Sequence, residues 1–237
     1  HHLLRRQRQM CIRDSNRWDA SQQLMLASFE KIAFQKQEPN DELIDAFCQI
    51  MQDQKLMPAF RAQLLSQPSI SEIIAHFFEN NLPIDPEMIY TAKKIFSQKL
   101  AENSNQFLEQ LFHSLTQNVK YEPSADQAGE RSLKNILLGL LTRVDNGESA
   151  GKQFAGADNM TDEVAALSVL IQNDLVSTEI DSFYERWADD RLVIDKWFML
   201  QTSLSQPSKS LEITKTLTKH SDFCLLYTSP SPRDGTS

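Results

Sequence analysis

The residues best suited to bind a catalytic metal in this 237-residue sequence are its histidines. Apart from an adjacent pair at the N terminus, they are His76, His113 and His220, and none of these three is followed by glutamate. A helical zinc site of the His-Glu-x-x-His type needs two histidines four residues apart, because that spacing places both imidazoles on one face of the helix. The spacing is absent, so we assign no metal ligand to this chain.

The other residues with chemical potential favour structural roles. His113 lies in an apolar run and is interpreted as a packed or surface histidine, and the acidic pair Asp189 and Asp190 as a solvated turn. Cys48 stands among apolar residues and is expected to be a small buried hydrophobic side chain. The sequence is interpreted as containing no Gly-x-Ser-x-Gly elbow, no phosphate-binding Gly-rich loop and no Cys-x-x-Cys pair. No catalytic residue is assigned, and any substrate-binding residues stay unknown.

Helix signals follow one another along the chain with almost no strand pattern between them. Trp18, Met25 and Phe29 share one face of a first predicted helix, and two late helices are expected around Trp197 and Leu211. The residues expected to begin the helices between these are Asn40, Pro58, Ser69 with Glu72, Asp85 before Pro86, Ser104, Ser124 with Gln127, Thr161 and Ser177.

Roughly a dozen short helices joined by brief turns are typical of an α/α superhelix, in which antiparallel helix pairs stack on their neighbours. The sequence shows no fixed internal period, which argues against a regular repeat family such as tetratricopeptide or ankyrin. The predicted fold is therefore all-α, an irregular helical solenoid.

Both ends of the chain differ from the rest. The strings RRQRQMCIRDS (residues 5–15) and CLLYTSPSPRD (residues 224–234) are translations of a common transposase sequencing adapter, and the DNA core of one is the reverse complement of the other. The two ends of a natural protein have no reason to show that relation. We therefore interpret residues 1–15 and 224–237 as non-native flanks; a basic arm and a Ser/Pro-rich linker are the alternative.

Residues 16–223 carry 19 basic and 30 acidic side chains, a formal net charge of −11. An acidic balance without a basic run argues against a nucleic-acid or anionic-membrane partner, since such surfaces repel carboxylates. Cys48 is the one cysteine in this range, so no internal disulfide can form and nothing indicates an oxidising compartment. No apolar run approaches the roughly 20 residues that span a bilayer.

Three segments carry a family resemblance. They are NRWDASQ (residues 16–22), DNMTDEVAAL (158–167) and LVIDKWFMLQ (192–201). In this order and spacing they resemble the C-terminal, all-helical domain of bacterial zinc aminopeptidases of the alanyl aminopeptidase N type, and the helices between them resemble it throughout. The resemblance implies that the chain is part of that domain.

What the resemblance implies for chemistry lies outside this chain. In such enzymes two histidines and a distal glutamate hold zinc, a second glutamate activates water, and a Gly-x-Met-Glu-Asn segment binds the free amine of the peptide. Neither motif occurs here, so the resemblance implies a cap over the active site, inactive alone and without bound zinc. Its expected partners are the catalytic domain of the same parent chain and that enzyme's peptide substrates, with a cytoplasmic location.

The residues that carry the resemblance also have structural interpretations. Thr161 is expected to cap a helix, with Asp162 and Glu163 complementing the positive end of its dipole. Val193 and Trp197 are four residues apart and are expected to pack together. An independent α-solenoid that binds other proteins therefore remains the alternative function.

Overall fold

The computed structural model describes the backbone of residues 2–116 and 121–223, and the side chains from Asp14 onward within those ranges. Of the two predicted flanks, the structure describes the backbone of residues 2–15 and the side chains of Asp14 and Ser15, while residues 224–237 lie outside the described part of the chain. The first helix passes through the predicted flank boundary at residue 15 without a break.

Eleven α-helices and no β-strand occur in the described ranges, which confirms the all-α prediction. The helices are α1 (His2–Gln35), α2 (Asp41–Gln52), α3 (Pro58–Leu65), α4 (Ile70–Glu79), α5 (Pro86–Ser114), α6 (Ala125–Leu141), α7 (Glu148–Gly156), α8 (Met160–Gln172), α9 (Glu179–Trp187), α10 (Arg191–Leu204) and α11 (Pro207–Leu217). They form two compact units, residues 1–170 and 171–237, which are described separately. None of the described helices is both long and apolar enough to cross a membrane.

Four of the eight predicted helix starts, at Asn40, Ser69, Asp85 and Ser124, are confirmed by hydrogen bonds. The Asn40 side chain accepts from the Glu42 amide, and Asp85 accepts from the amides of the first turn of α5. Ser69 and Glu72 form a reciprocal capping box at α4. These are local interactions between residues two or three apart, which explains why the sequence alone reveals them.

The prediction that Ser104 begins a helix is wrong. Helix α5 continues from Pro86 to Ser114, and Ser104 is fully buried in its middle, where its hydroxyl donates to the Leu100 carbonyl at 2.7 Å. A serine that bonds back to the preceding turn can stay inside a helix, although the same residue type favours helix starts.

Two further expectations about helix starts need correction, and the sequence prediction omits one helix. Thr161 is not the cap of α8, because Asn159 Oδ1 accepts from the Asp162 amide at 3.0 Å and the helix begins at Met160. Helix α9 begins at Glu179, whose carboxylate accepts from the Ser177 amide at 2.7 Å, so Ser177 lies just before the helix. Helix α7 was not predicted at all, because its sequence ESAGKQFAG has two glycines and few apolar residues.

The core of the first unit is built on phenylalanine pairs. The Phe29 ring of α1 and the Phe47 ring of α2 both meet the Phe96 ring of α5 edge to face, at centroid distances of 5.5 and 5.8 Å. All three side chains are almost fully buried. Aromatic pairs of this geometry fix the crossing of the helices that carry them, in addition to burying apolar area.

Helix α6 packs closely against α3 at a glycine. A Cβ added to Gly129 would lie 3.0 Å from the Ala59 Cβ and 3.1 Å from the Ala59 backbone nitrogen. The absence of a side chain at Gly129 therefore sets how near the two helices approach, and it positions α6, which carries the polar residues described below.

The second unit is held by Trp197 of α10. Its indole N–H donates to the Ile180 carbonyl of α9 at 2.9 Å, and its ring contacts those of Tyr184 and His220. The Tyr184 hydroxyl donates to the Asp222 carboxylate, which raises the pKa of Tyr184. Residues from the segment after α11 are thereby anchored on α9 and α10.

Candidate functional site: a polar cleft in the first unit

A cleft of about 710 Å³ opens in the first unit between the end of α5, α6, α7 and the start of α8. Phe112 and Tyr121 contribute aromatic surface to its lining. Its polar lining includes Lys134 of α6, Gln153 of α7 and Asp162 of α8. Clefts of this size are large enough to bury a small ligand.

A buried ion pair lies at this cleft. Lys134 Nζ is 2.5 Å from Asp162 Oδ2, and the two side chains are only 9% and 7% exposed. A lysine and an aspartate are seldom buried this far unless they are paired, since each charge loses its hydration. The sequence predicts that Asp162 complements the dipole of its helix. The structure adds a second role, because the Asp162 carboxylate also holds α8 against α6.

Amide side chains complete the hydrogen bonding of the Asp162 carboxylate. Asn135 Nδ2 donates to Oδ1 at 3.1 Å, and Asn159 Nδ2 donates to Oδ2 at 3.0 Å. Gln153 Nε2 donates to Asn135 Oδ1 at 2.9 Å and to the Asp162 carbonyl at 3.0 Å. We call Lys134, Asn135, Gln153, Asn159 and Asp162 the polar network; it links α6, α7 and the first turn of α8.

Charges at the rim of the cleft are more exposed. The Arg131 guanidinium lies 4.8 Å from the centroid of the Tyr121 ring, and its Nη1 donates to Gln127 Oε1 at 3.2 Å. Lys152 Nζ lies 2.5 Å from the Glu148 carboxylate one turn away. That hydrogen bond raises the pKa of Lys152 and lowers the pKa of Glu148. The rim presents charges of both signs, so it favours no simple anion or cation.

The three histidines are not brought together. His113 is at the rim of the cleft, more than half exposed, with Nε2 3.6 Å from the Glu109 carboxylate on the same helix. His76 Nε2 lies 3.0 Å from Glu30 Oε2, and His220 packs in the aromatic cluster of the second unit. Among residues 14–116 and 121–223, whose side chains the structure describes, no group of three histidine, cysteine or acidic side chains could hold a metal ion. The described side chains therefore offer no ligand set for zinc, which the family resemblance assigns to the catalytic domain and not to this region.

A serine motif missed by the sequence prediction also lines the cleft. Residues 147–151, Gly-Glu-Ser-Ala-Gly, match Gly-x-Ser-x-Gly, a pattern that marks a nucleophilic serine when it joins a strand to a helix. Here it follows α6 and a turn, with Gly147 at φ 84°, and it opens α7. The Ser149 amide donates to Asp145 Oδ2 at 2.9 Å, which is a helix-start interaction. The motif therefore lacks the strand-to-helix turn that nucleophile activation requires.

The other residues singled out in the sequence have structural roles. Cys48 is 8% exposed, as predicted, and burial followed by the charge of Asp45 raises the pKa of its thiol. Asp189 and Asp190 are exposed, but the prediction of a plain solvated turn is incomplete. The Asp190 carboxylate caps α10 by accepting from the amides of Leu192 and Val193.

The polar network could be anticipated only in part. Lys134 lies one turn before Leu138 of the apolar face of α6, so helical periodicity places this lysine where a hydrophobic residue is expected. Its partner Asp162 is 28 residues away, and no local pattern pairs the two. Chemically the network holds a lysine and a carboxylate in fixed positions; it offers no activated nucleophile.

Successive helices joined by brief turns, without a described strand between them, are typical of a helical-repeat protein. More specifically, the chain belongs to the family described as "Domain of unknown function (DUF3458_C) ARM repeats", whose model matches residues 13–227. The predicted α/α superhelical class is thereby confirmed.

Comparison with known proteins confirms the resemblance to aminopeptidase N. Aminopeptidase N of Escherichia coli (strain K12) is 30% identical over 223 residues, covering 90% of this chain and 25% of that protein. Aminopeptidase N of Caulobacter vibrioides is 30% identical over 215 residues, 88% of this chain and 24% of that protein. The chain thus spans about a quarter of the length of these relatives and corresponds to their C-terminal helical region.

A solved structure has the same fold. The crystal structure of Legionella pneumophila aminopeptidase A in complex with aspartic acid superposes with a TM-score of 0.76 at 25% sequence identity. The match covers 89% of this chain and 26% of that one.

Proposed function

We propose that this chain is the helical cap region of a zinc-dependent aminopeptidase, a parent polypeptide that releases N-terminal amino acids from peptides. The observation that carries the proposal is the extent of the match: nine-tenths of the chain aligns with aminopeptidase N, yet it accounts for only a quarter of that protein. The peptidase chemistry then belongs to the other three quarters of the parent.

The placement of the histidines and buried charges supports assigning the peptidase chemistry to another part of the parent. His76, His113 and His220 occupy three separate environments, and the buried charges of Lys134 and Asp162 neutralise each other. Zinc, which would polarise the scissile carbonyl and activate water, would be held by the catalytic domain. What this chain contributes is a rigid helical wall, because the polar network locks three of its helices together.

The test is to recover the gene that encodes this chain and to express the full parent polypeptide. We expect an in-frame His-Glu-x-x-His motif upstream, and hydrolysis of an alanyl chromogenic amide that a chelator abolishes and zinc restores. The 237-residue chain alone, assayed with zinc at the same concentration, should show no hydrolysis. A parent without the motif and without peptidase activity would instead support an independent α-solenoid scaffold.

Two further properties accompany the proposal. A cytoplasmic location agrees with the single cysteine of residues 16–223, because no disulfide is built into that range.

Residues 1–15 and 224–237 are proposed to be adapter-derived. Amplification of the locus from genomic DNA should give coding sequence that departs from this chain before Asn16 and after Phe223, whereas an unchanged sequence would refute the adapter origin.

A further inference from the structure

Helix α4 carries an apolar stripe that faces away from the core of its unit. The stripe consists of Ile70, Ile74 and Phe78, spaced four residues apart and therefore on one side of the helix. Ile70 is 56% exposed, Phe78 is 72% exposed, and Ile74 is half-buried. We call these three residues the α4 stripe.

The α4 stripe is separate from the face that holds α4 in the fold. Ile73 and Phe77 are fully buried, and the Phe77 ring meets the Phe34 ring of α1 at 5.1 Å. Beside them, His76 contacts Glu30 of α1. Since these residues already anchor the helix, the stripe adds a second apolar face, and a helix that is apolar on two sides is usually covered on both.

Single exposed apolar residues are common and need no explanation. Phe78 differs because a phenylalanine buries about 150–250 Å² when covered, so its present exposure leaves on the order of 100 Å² of apolar surface in water. Ile70 extends the same surface by two helical turns. The stripe has the form of a helix face that docks against another apolar surface.

We propose that the α4 stripe is the docking surface for the part of the parent polypeptide outside this chain. The inference rests on the proposed function, since the aminopeptidase relatives are about four times as long as the matched region. Interfaces between domains of one chain typically bury about 600–1,500 Å², and the stripe supplies an apolar centre for one. Glu79, which follows Phe78 at the end of α4, is an exposed carboxylate, so the occupant is an apolar patch with a basic group at its rim.

A second copy of this chain is a poorer occupant. A two-fold contact through the α4 stripe would bring Glu79 of one copy close to the stripe of the other, where it finds Glu79 again and no added basic group, because each copy of a symmetric dimer presents the same patch. The chain also has a formal net charge of −8, which opposes self-association further.

Cysteine labelling tests the proposal directly. In the 237-residue chain, Cys11→Ser and Cys224→Ser leave Cys48 buried, and Phe78→Cys then introduces one exposed thiol. The parent polypeptide carries Phe78→Cys in its own sequence, and labelling is read in both polypeptides from the proteolytic peptide that contains residue 78. We expect the maleimide reaction rate at residue 78, relative to the urea-unfolded chain, to be at least about tenfold lower in the parent polypeptide than in the 237-residue chain. Glu102→Cys, exposed on α5, is the control for general access to the reagent.

Equal maleimide reaction rates at residue 78 in the two polypeptides would overturn the inference. A rate in the 237-residue chain that falls as the chain concentration rises would also overturn it, because a second copy would then cover the stripe. A second variant, Phe78→Asp, should leave the urea midpoint of the 237-residue chain unchanged and make the parent about tenfold more sensitive to limited proteolysis between its domains. Equal sensitivity of variant and wild-type parent would also overturn the inference. Protection of residue 78 in a parent that lacks peptidase activity would refute the proposed function, but it would support the proposal that the α4 stripe is a docking surface.

Discussion

Lys134 and Asp162 join α6 to the first turn of α8 through an ion pair of 2.5 Å between residues 28 apart in sequence. More than nine-tenths of each side chain is buried, and Asn135 and Asn159 donate to the same carboxylate. A charge in this position depends on its partner, because neither group has enough water around it to replace the interaction.

Removing one member of this pair should therefore be costly. We expect Asp162→Ala to lower the free energy of unfolding of the chain by about 3–5 kcal/mol, the usual penalty for leaving a buried charge without its partner. The measurement is urea denaturation followed by circular dichroism. The double variant Lys134→Met with Asp162→Leu should recover much of the loss, because it leaves no buried charge.

Glu148→Gln is the matched control for this prediction. It removes the carboxylate of another lysine–acid pair at the cleft, but both Glu148 and Lys152 are about 70% exposed. Exposed pairs contribute little because water and salt screen them. A loss as large as that of Asp162→Ala would show that burial is not what gives the Lys134–Asp162 pair its effect.

The polar network marks the limit of what the sequence predicts. Asn40, Ser69 and Asp85 were predicted correctly because a cap acts on amides two or three residues away. Ser104 was misread because the same residue type is tolerated inside a helix when its hydroxyl bonds back to the preceding turn. The pairing of Lys134 with Asp162 depends on how α6 and α8 pack, and that information is not local.

The close approach of α6 to α3 gives a second prediction. Gly129→Ala should destabilise the chain by about 1–3 kcal/mol, the usual cost of overpacking, because the new methyl group would meet the backbone of α3 at Ala59. Gly139→Ala in the same helix is the control, since its Cβ would lie 3.7 Å from Val169 in ordinary contact.

The control should change stability in the opposite direction. Replacing a helical glycine by alanine reduces the freedom of the unfolded chain and stabilises by about 0.4–1 kcal/mol where there is room. Thermal unfolding of both variants gives the comparison. If Gly129→Ala were as stable as Gly139→Ala, α3 and α6 would not be in the close contact that Gly129 permits.

Cys48 should be unreactive in the folded chain. Burial raises the pKa of its thiol, and the charge of Asp45 raises it further, so little thiolate forms near neutral pH. In a chain with Cys11→Ser and Cys224→Ser, we expect iodoacetamide at pH 8 to modify Cys48 at least about a hundredfold more slowly than after unfolding in urea. A rate close to that of the unfolded chain would place Cys48 at the surface.

The cap of α4 supplies a prediction about pH. The Ser69 hydroxyl and the Ser69 amide both donate to the Glu72 carboxylate, at 2.7 Å each, and lower the pKa of Glu72. We expect an NMR titration of the Glu72 carboxyl carbon to give a pKa below the ordinary value of about 4.3. Ser69→Ala should move it back toward that value, while Ser71→Ala, at an exposed neighbouring position, should leave it unchanged.

The direction of the effect on stability follows from the lowered pKa of Glu72. A carboxyl group that is more acidic in the folded chain than in the unfolded chain stabilises the fold at pH values above its unfolded pKa, and this contribution is lost as the pH falls through its folded pKa. Acidification below about pH 4 should therefore loosen the first turn of α4, seen as a lower protection factor of the Ile73 amide, which is its exchange rate relative to the unfolded chain at the same pH. Glu72→Gln should remove this pH dependence. If the variant kept the same acid response as the wild type, some other carboxylate would control the start of α4.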